Sequence, residues 1–146
     1  MAISCDIILA SEKARFGTPE VNLGVFPGFG GTQRLTRLLG KARAKEIIFS
    51  GEMFDATRAL AIGLINRVCP PEELMEEAVN LAKTIMSKGP VALELAKKSI
   101  EKGFDMDLDK ALLLERSLFA QCFDTEDQKE GMSAFIDKRE PDFKGK

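Results

Sequence analysis

The sequence contains no histidine, no tyrosine and no tryptophan among its 146 residues. Without histidine, the printed residues cannot form a Ser-His-Asp or Cys-His catalytic centre, or the two-histidine zinc site of an H-E-x-x-H motif. Any general base that this chain supplies must therefore be a carboxylate, a lysine or a thiolate.

Cysteine is scarce as well. Cys5, Cys69 and Cys122 lie far apart and form no C-x-x-C motif. We therefore expect no disulfide framework and no metal site, and the cytoplasm, which is reducing, is the expected location. Each thiol is expected to be a small buried hydrophobic group rather than a nucleophile.

Long apolar runs and an excess of charge of one sign are also missing. No apolar stretch approaches the roughly 18–20 residues that span a bilayer, and the first six residues lack the basic segment of a signal peptide. Lysine and arginine number 21 against 23 aspartates and glutamates, a net charge of −2. We therefore expect neither nucleic acid nor a membrane as a partner.

Short apolar runs predict three strands, at residues 6–10, 14–17 and 64–68. A glycine-rich loop follows the second of them, after which Thr32 is expected to cap a helix that Gly40 ends. A further helical segment is predicted at 41–49. So few strands cannot form a sheet with a covered core, and natural domains avoid exposed strand edges. We therefore expect the chain to be the later part of a larger fold.

Helical patterns dominate from residue 55 onward. Asp55 is expected to cap a short helix, and apolar residues at helical spacing predict further helices at 71–85, 90–103 and 107–123.

The last helix is predicted from a capping-box spacing, Thr125-Glu126-Asp127-Gln128. Its residues Met132, Phe135 and Ile136 are expected to face inward, and a charged tail follows from Asp137.

The loop Gly28-Phe29-Gly30-Gly31 is the first candidate site. Glycines let backbone N–H groups approach a ligand, and the start of the following helix favours negative charge. The spacing matches neither G-x-G-x-x-G nor the Walker pattern, so neither motif supports nucleotide binding. A plain turn is the alternative.

Glu20 is the second candidate. It follows Pro19 and precedes the glycine loop, and its neighbours include Val21, Leu23 and Phe26. A carboxylate in apolar surroundings is suited to proton transfer near neutral pH. An ordinary surface glutamate remains the alternative.

Two further patterns have simpler interpretations. Five basic residues between 34 and 45 could contact phosphates, but a solvated helix face explains them as well. Glu115 lies on an apolar helical stripe, where a glutamate paired with an arginine or lysine at a helix interface is expected.

Two glycine-flanked blocks are the most specific part of the sequence: F-G-T-P-E-V-N-L-G at 16–24 and P-G-F-G-G-T-Q-R-L at 27–35. In these blocks the chain resembles the enoyl-CoA hydratase/isomerase (crotonase) family, most closely its bacterial short-chain hydratases. The resemblance continues at 5–7, 59–66, 125–127 and 130–135, and therefore covers essentially the whole chain.

The resemblance implies an α/β fold, namely the C-terminal portion of a β-β-α spiral followed by a helical trimerisation region. The implied division is an incomplete spiral core with the glycine loop at 1–65 and a C-terminal helical region at 66–146. Family members assemble as trimers, often paired into hexamers, so a homo-trimer or hexamer is expected.

The resemblance also implies roles for particular residues. Hydratases add water across the double bond of a 2-enoyl-CoA thioester with two glutamates, one of which corresponds to Glu20. The N–H of Gly28 helps to position the water, and Phe26 and Pro27 are implied to bind substrate. No cofactor is expected, because coenzyme A is part of the substrate.

The sequence departs from the family pattern at its start. The second glutamate and the G-G-G oxyanion loop would fall immediately before Met1, so residues 1–146 are expected to be inactive alone. An isomerase of the same family, which uses a single carboxylate at the Glu20 position, is the alternative activity. A non-catalytic self-assembling module is the alternative from another class.

Overall fold

The computed structural model describes residues 2–146, and Met1, the first residue of the predicted 1–65 region, lies outside the described residues. The chain divides into two compact units, unit 1 at Met1–Val79 and unit 2 at Asn80–Lys146. The predicted boundary after residue 65 concerns the end of the family's spiral core, and it stays a prediction.

Unit 1 contains two small two-stranded sheets. Strands β1 (Leu9–Ser11) and β4 (Arg67–Cys69) pair in parallel, whereas β2 (Arg15–Phe16) and β3 (Phe54–Asp55) pair antiparallel. The Phe16 and Phe54 rings stack with centroids 6.0 Å apart across the second pair. The two sheets thus bring both ends of unit 1 together.

The predicted strand at 6–10 is wrong in its first half, because β1 begins at Leu9. The N–H of Ile8 donates to the side-chain oxygen of Asn66 at 2.8 Å, and the Asn66 N–H donates to the Ile8 carbonyl at 2.8 Å. A side chain therefore takes the place of a ladder partner there. The strand predicted at 64–68 is likewise displaced to β4. The strand predicted at 14–17 is confirmed at its centre by β2, whereas the two residues of β3 were not predicted.

The core of unit 1 forms around helix α1 (Gly31–Ser50). Gly40 interrupts its helical conformation with φ 79° and ψ 164°, which confirms the predicted end of the first helical segment. The predicted cap at Thr32 is wrong, because α1 already begins at Gly31 and Gly30 occupies the cap position. Helix α2 (Ala56–Ala61) is capped by the Asp55 carboxylate, which accepts the Arg58 N–H at 2.8 Å as predicted. The buried core comprises Ala10, Leu35, Leu39, Ala44, Ile47, Ile48, Phe54, Ala56, Ala59, Leu64 and Ile65.

Helix α3 (Leu74–Met86) runs from unit 1 into unit 2, which otherwise consists of three helices and a C-terminal tail. The helices are α4 (Pro90–Gly103), α5 (Leu108–Cys122) and α6 (Glu126–Asp137). Asp107 caps α5, and the Thr125 hydroxyl caps α6 by accepting the Gln128 N–H at 3.1 Å. The starts of α4, α5 and α6 agree with the predicted helices, whereas α3 begins three residues after the predicted start at Pro71.

The prediction of which face of α6 points inward is wrong. Met132, Phe135 and Ile136 are exposed, and the helix buries Asp127 and Ala134 instead. The reason is the tail, which packs along the other side of α6: a Cβ at Gly131 would lie 3.3 Å from the Phe143 ring.

Asp127 holds this tail in place through hydrogen bonds. Its carboxylate accepts the N–H groups of Lys144 and Gly145 at 2.6 and 2.8 Å, while the first N–H groups of α6 donate to the Lys146 carbonyl. Nearby, the Glu130 carboxylate accepts two hydrogen bonds from the Arg139 guanidinium and one from the Asp142 N–H. The Arg139 guanidinium lowers the pKa of Glu130 to about 2.

The three cysteines are unpaired and differ in burial. Cys69 is buried and Cys122 is half-buried, in accord with the expectation, but Cys5 is exposed, which corrects it. Cys5 follows a short 3₁₀ segment at Ala2–Ser4 whose residues pack only partly. Within residues 2–146, no helix combines the length and apolar character that crossing a membrane requires.

Candidate active site

Glu20 lies in a 3₁₀ helix at Pro19–Leu23, directly after β2. Two polar side chains attach this segment to the C-terminal end of α1. The Thr18 hydroxyl donates to the Ile47 carbonyl at 3.4 Å, and the Asn22 amide donates at 3.4 Å to the carbonyl of Gly51, the residue after the helix. Pro19 provides the fixed φ that suits the first turn of a helix. The carboxylate is therefore carried by a short, braced turn rather than a free loop.

The glycine loop closes against the same region. Gly30 has φ 78°, a left-handed conformation that glycine adopts without steric cost, and it precedes the first turn of α1. A Cβ at Gly31 would lie 2.7 Å from the Pro27 Cβ, so only glycine fits there. Two glycines thus allow the chain to turn sharply over the buried Pro27 and enter the helix.

The Glu20 segment, the loop and the beginning of the chain enclose a cavity of about 110 Å³. Its lining consists of Ile3, Ser4, Glu20, Pro27, Phe29, Gly31 and Arg34. We call it the Glu20 cavity. It is large enough for water molecules, which need roughly 10–15 Å³ of such space each.

One oxygen of the Glu20 carboxylate, Oε2, is buried and has no hydrogen-bond partner within residues 2–146. Buried polar atoms are nearly always hydrogen-bonded, so such an atom requires an explanation. The Glu20 carboxylate lies on the wall of a cavity that has room for water, where it is placed to bind a water or a substrate O–H group. This arrangement can move a proton to or from a molecule in the cavity.

The structure brings two of the four predicted site residues, Glu20 and Pro27, to the cavity. Gly28 and Phe26 lie in the exposed part of the loop and do not line it. Their roles stay predictions. Arg34 also lines the cavity, whereas the sequence indicated it only as one of five basic residues that form a phosphate-contacting or solvated helix face.

The other candidate groups have structural partners or lie elsewhere. On α1, Arg34 donates to the Phe29 carbonyl, Arg37 to the Gln33 side chain and Arg43 to the Ile62 carbonyl. Glu115 lines an apolar groove between α4 and α5 in unit 2, and no ion pair joins it to any residue that the structure describes. Among residues 2–146, no cluster of three potential metal ligands occurs.

Comparison with known proteins gives consistent matches. The chain is 53% identical over 139 residues to a short-chain-enoyl-CoA hydratase of Clostridium acetobutylicum, covering 95% of this chain and 53% of that protein. It is 46% identical to a crotonyl-CoA hydratase of Syntrophomonas wolfei, covering 98% and 55% respectively. The chain thus spans about half the length of these curated relatives.

The fold comparison agrees. A crystal structure of an enoyl-CoA hydratase from Bacillus anthracis superimposes with a TM-score of 0.97 at 42% identity, covering 99% of this chain and 56% of that one. This likeness confirms the predicted crotonase-type α/β fold. The family model described as enoyl-CoA hydratase/isomerase matches residues 1–146. Since that match extends over the whole printed sequence, the chain belongs to the enoyl-CoA hydratase/isomerase family.

Proposed function

We propose that this chain supplies the Glu20 general acid/base of an enoyl-CoA hydratase, a lyase that adds water to a 2-enoyl-CoA thioester. The observation that carries the proposal is the Glu20 carboxylate on the wall of a cavity beside the glycine loop, with its Oε2 buried and without a hydrogen-bond partner among residues 2–146. The names of the relatives, which are hydratases of short-chain and crotonyl thioesters, support the same reaction.

In the proposed reaction, the water oxygen bonds to C3 of the enoyl group, the C2–C3 π bond breaks, the water gives up one proton and C2 gains one. Through its carboxylate, Glu20 either accepts the proton that the water loses or delivers the proton that C2 gains. Gly28 provides a backbone N–H to the water, and Phe26 and Pro27 contact the acyl group. No cofactor takes part, because coenzyme A is carried by the substrate.

The resemblance assigns the oxyanion donors and a second glutamate to positions outside residues 1–146. We therefore propose that these residues alone have no appreciable turnover. Removing a single oxyanion donor from an enzyme costs about 2.7–4 kcal/mol of transition-state stabilisation, so losing the set is decisive.

The test uses crotonyl-CoA and two proteins. One is the protein of residues 1–146, called the printed chain. The other is a hybrid that joins these residues to the part of the C. acetobutylicum hydratase that they do not match. The hybrid should hydrate crotonyl-CoA, and Glu20→Gln should lower its kcat by about 10²–10⁴-fold, the usual contribution of general acid–base catalysis. Glu12→Gln, at an exposed turn, is the matched control.

Equal rates for the two variants would reject the role of Glu20, and turnover by the printed chain would reject its inactivity alone. A hybrid that moves the double bond of a 3-enoyl-CoA without hydrating crotonyl-CoA would identify the isomerase instead. Glu20 is the only carboxylate lining the cavity among the described residues, which is the observation that favours this alternative.

We also propose that the protein self-associates, as a trimer or hexamer. The support is the exposed apolar surface of unit 2, which includes Ile100, Leu108, Leu113, Phe119 and Phe135. Apolar surface on this scale marks association sites in soluble proteins. Sedimentation should show oligomers that Phe119→Asp weakens, and a monodisperse monomer would count against it. Oligomers without any activity in the hybrid would favour the non-catalytic module.

A cytoplasmic location is proposed as well. It is supported by three unpaired cysteines, which suit a reducing compartment.

A further inference from the structure

The guanidinium of Arg34 occupies an unusual place at the entrance to α1. Its backbone N–H makes the first helical bond of α1, to the Gly30 carbonyl at 2.9 Å, so the residue belongs to the first turn. A cation there opposes the helix dipole, which favours negative groups at the N-terminus. The position therefore needs a compensating interaction.

That interaction is with the glycine loop. The Arg34 side chain turns back, and its Nη1 donates to the Phe29 carbonyl at 3.3 Å. A Cβ at Gly30 would lie only 2.0 Å from the same Nη1. The guanidinium thus fills the space that a side chain at position 30 would occupy, and it covers the turn from outside.

Arg34 also faces the Glu20 cavity, together with Phe29 and Gly31. Gly30 precedes α1 without any side chain that could accept the first N–H groups of the helix. The direction of those N–H groups, and the width of the cavity in front of the Glu20 carboxylate, therefore depend on how firmly this turn is held.

We propose that Arg34 is a positioning residue of the Glu20 site: by binding the Phe29 carbonyl and covering Gly30, it holds the glycine loop in the conformation that faces Glu20. This inference rests on the proposed function only for its catalytic consequence. The bracing of the loop is a property of the printed chain and is measurable there.

The first experiment measures amide hydrogen exchange at residues 28–32 in the printed chain. Arg34→Met, which keeps the aliphatic stem and removes the donors, should raise exchange in the loop about tenfold, the loss expected for one hydrogen bond to a charged group. Arg34→Lys should restore part of the protection, because a cationic donor remains. Arg37→Met, one turn further along α1, is the matched control.

Equal loop exchange in the Arg34→Met and Arg37→Met variants would overturn the proposal. So would equal exchange in Arg34→Met and Arg34→Lys, since bracing by a cationic donor predicts a difference. Exchange in the buried part of α1, at Ala44, Ile47 and Ile48, should not change, which separates loosening of the loop from unfolding of the helix.

The second experiment uses the hybrid described above. Arg34→Met should lower kcat about tenfold with little change in KM, since the loop orients the reacting groups rather than holding the thioester. An unchanged kcat in a hybrid that Glu20→Gln inactivates would overturn the catalytic consequence of Arg34. A hybrid on which Glu20→Gln has no effect would instead reject the proposed function, leaving the exchange result to decide on the bracing.

Discussion

Unit 1 and unit 2 are stabilised in different ways. Unit 1 buries a continuous apolar cluster from two sheets and two helices. The corresponding interior of unit 2 is small, with Leu95, Leu118 and Ala134 as its buried apolar residues, whereas many of its leucines and phenylalanines are exposed. Its C-terminal tail is held by hydrogen bonds to Asp127 and Glu130.

The difference shows that a helical sequence pattern does not guarantee a completed core. Apolar stripes on α4, α5 and α6 have the spacing of core-facing helices, yet much of their surface stays exposed within the single chain. Large exposed apolar surfaces are characteristic of association sites. Unit 1 therefore buries a larger apolar interior than unit 2, in which much of the apolar surface of α4, α5 and α6 stays exposed.

The largest expected effect is on the free energy of unfolding, and it appears when alanine replaces an isoleucine in each unit. Ile47 is 4% exposed and Ile136 is 74% exposed. Ile47→Ala should lower the free energy of unfolding by about 2–5 kcal/mol, because it leaves a cavity in the unit 1 core. Ile136→Ala should change it by less than about 0.5 kcal/mol. Urea unfolding followed by circular dichroism measures both, and similar losses would contradict the contrast between the units.

The polar anchor of unit 2 gives the next effect. Asp127 is 6% exposed and accepts two tail N–H groups. Asp127→Ala should cost about 1–3 kcal/mol by leaving those donors without an acceptor. It should also speed tryptic cleavage after Lys138, Arg139 and Lys144, because the tail backbone is then held less firmly. Asp124→Ala, at an exposed position just before α6, is the control. Unchanged cleavage of the tail in Asp127→Ala would show that the apolar contacts of Phe143 suffice.

Helix caps should not differ between the units. Asp55 caps α2 in unit 1 and Thr125 caps α6 in unit 2, each accepting the N–H three residues ahead. Replacing either with alanine should cost about 1 kcal/mol. Thermal unfolding of both variants measures this. A much larger loss in one unit would mean that its cap also supports tertiary packing.

The smallest effect concerns pH. The Arg139 side chain and the Asp142 N–H hold the pKa of Glu130 at about 2 in the folded protein, below the ordinary 4.5. The unfolded chain therefore binds more protons between these values, so the contribution of Glu130 is complete above pH 4.5 and is lost as the pH falls toward 2. Glu130→Gln should make unfolding less dependent on pH in this window.

The control for this last measurement is Glu140→Gln, at an exposed position. A pH dependence that is the same for both variants would mean that the Glu130–Arg139 pair makes no net contribution, as is common for ion pairs at the surface.

The local features were predictable because they depend on neighbouring residues. Asp55 and Thr125 cap their helices where the sequence placed them, and Gly40 interrupts α1. The face of α6 was not predictable. Helical spacing identifies a stripe of Met132, Phe135 and Ile136, but which side of the helix is covered depends on a tail that returns from several residues beyond its end.

The candidate site likewise combines local features that the sequence predicts with contacts that only the tertiary structure creates. The sequence by itself determined the family and the glycine turn, and it predicted Glu20 as the functional carboxylate, because these features are carried by short blocks around Glu20 and Gly28. The tertiary structure alone decided which groups share the cavity: Ile3, Glu20 and Arg34 meet there from separate elements. The physical reason is that hydrogen bonds and caps within a turn need only adjacent residues, whereas a cavity forms where distant segments pack against one another.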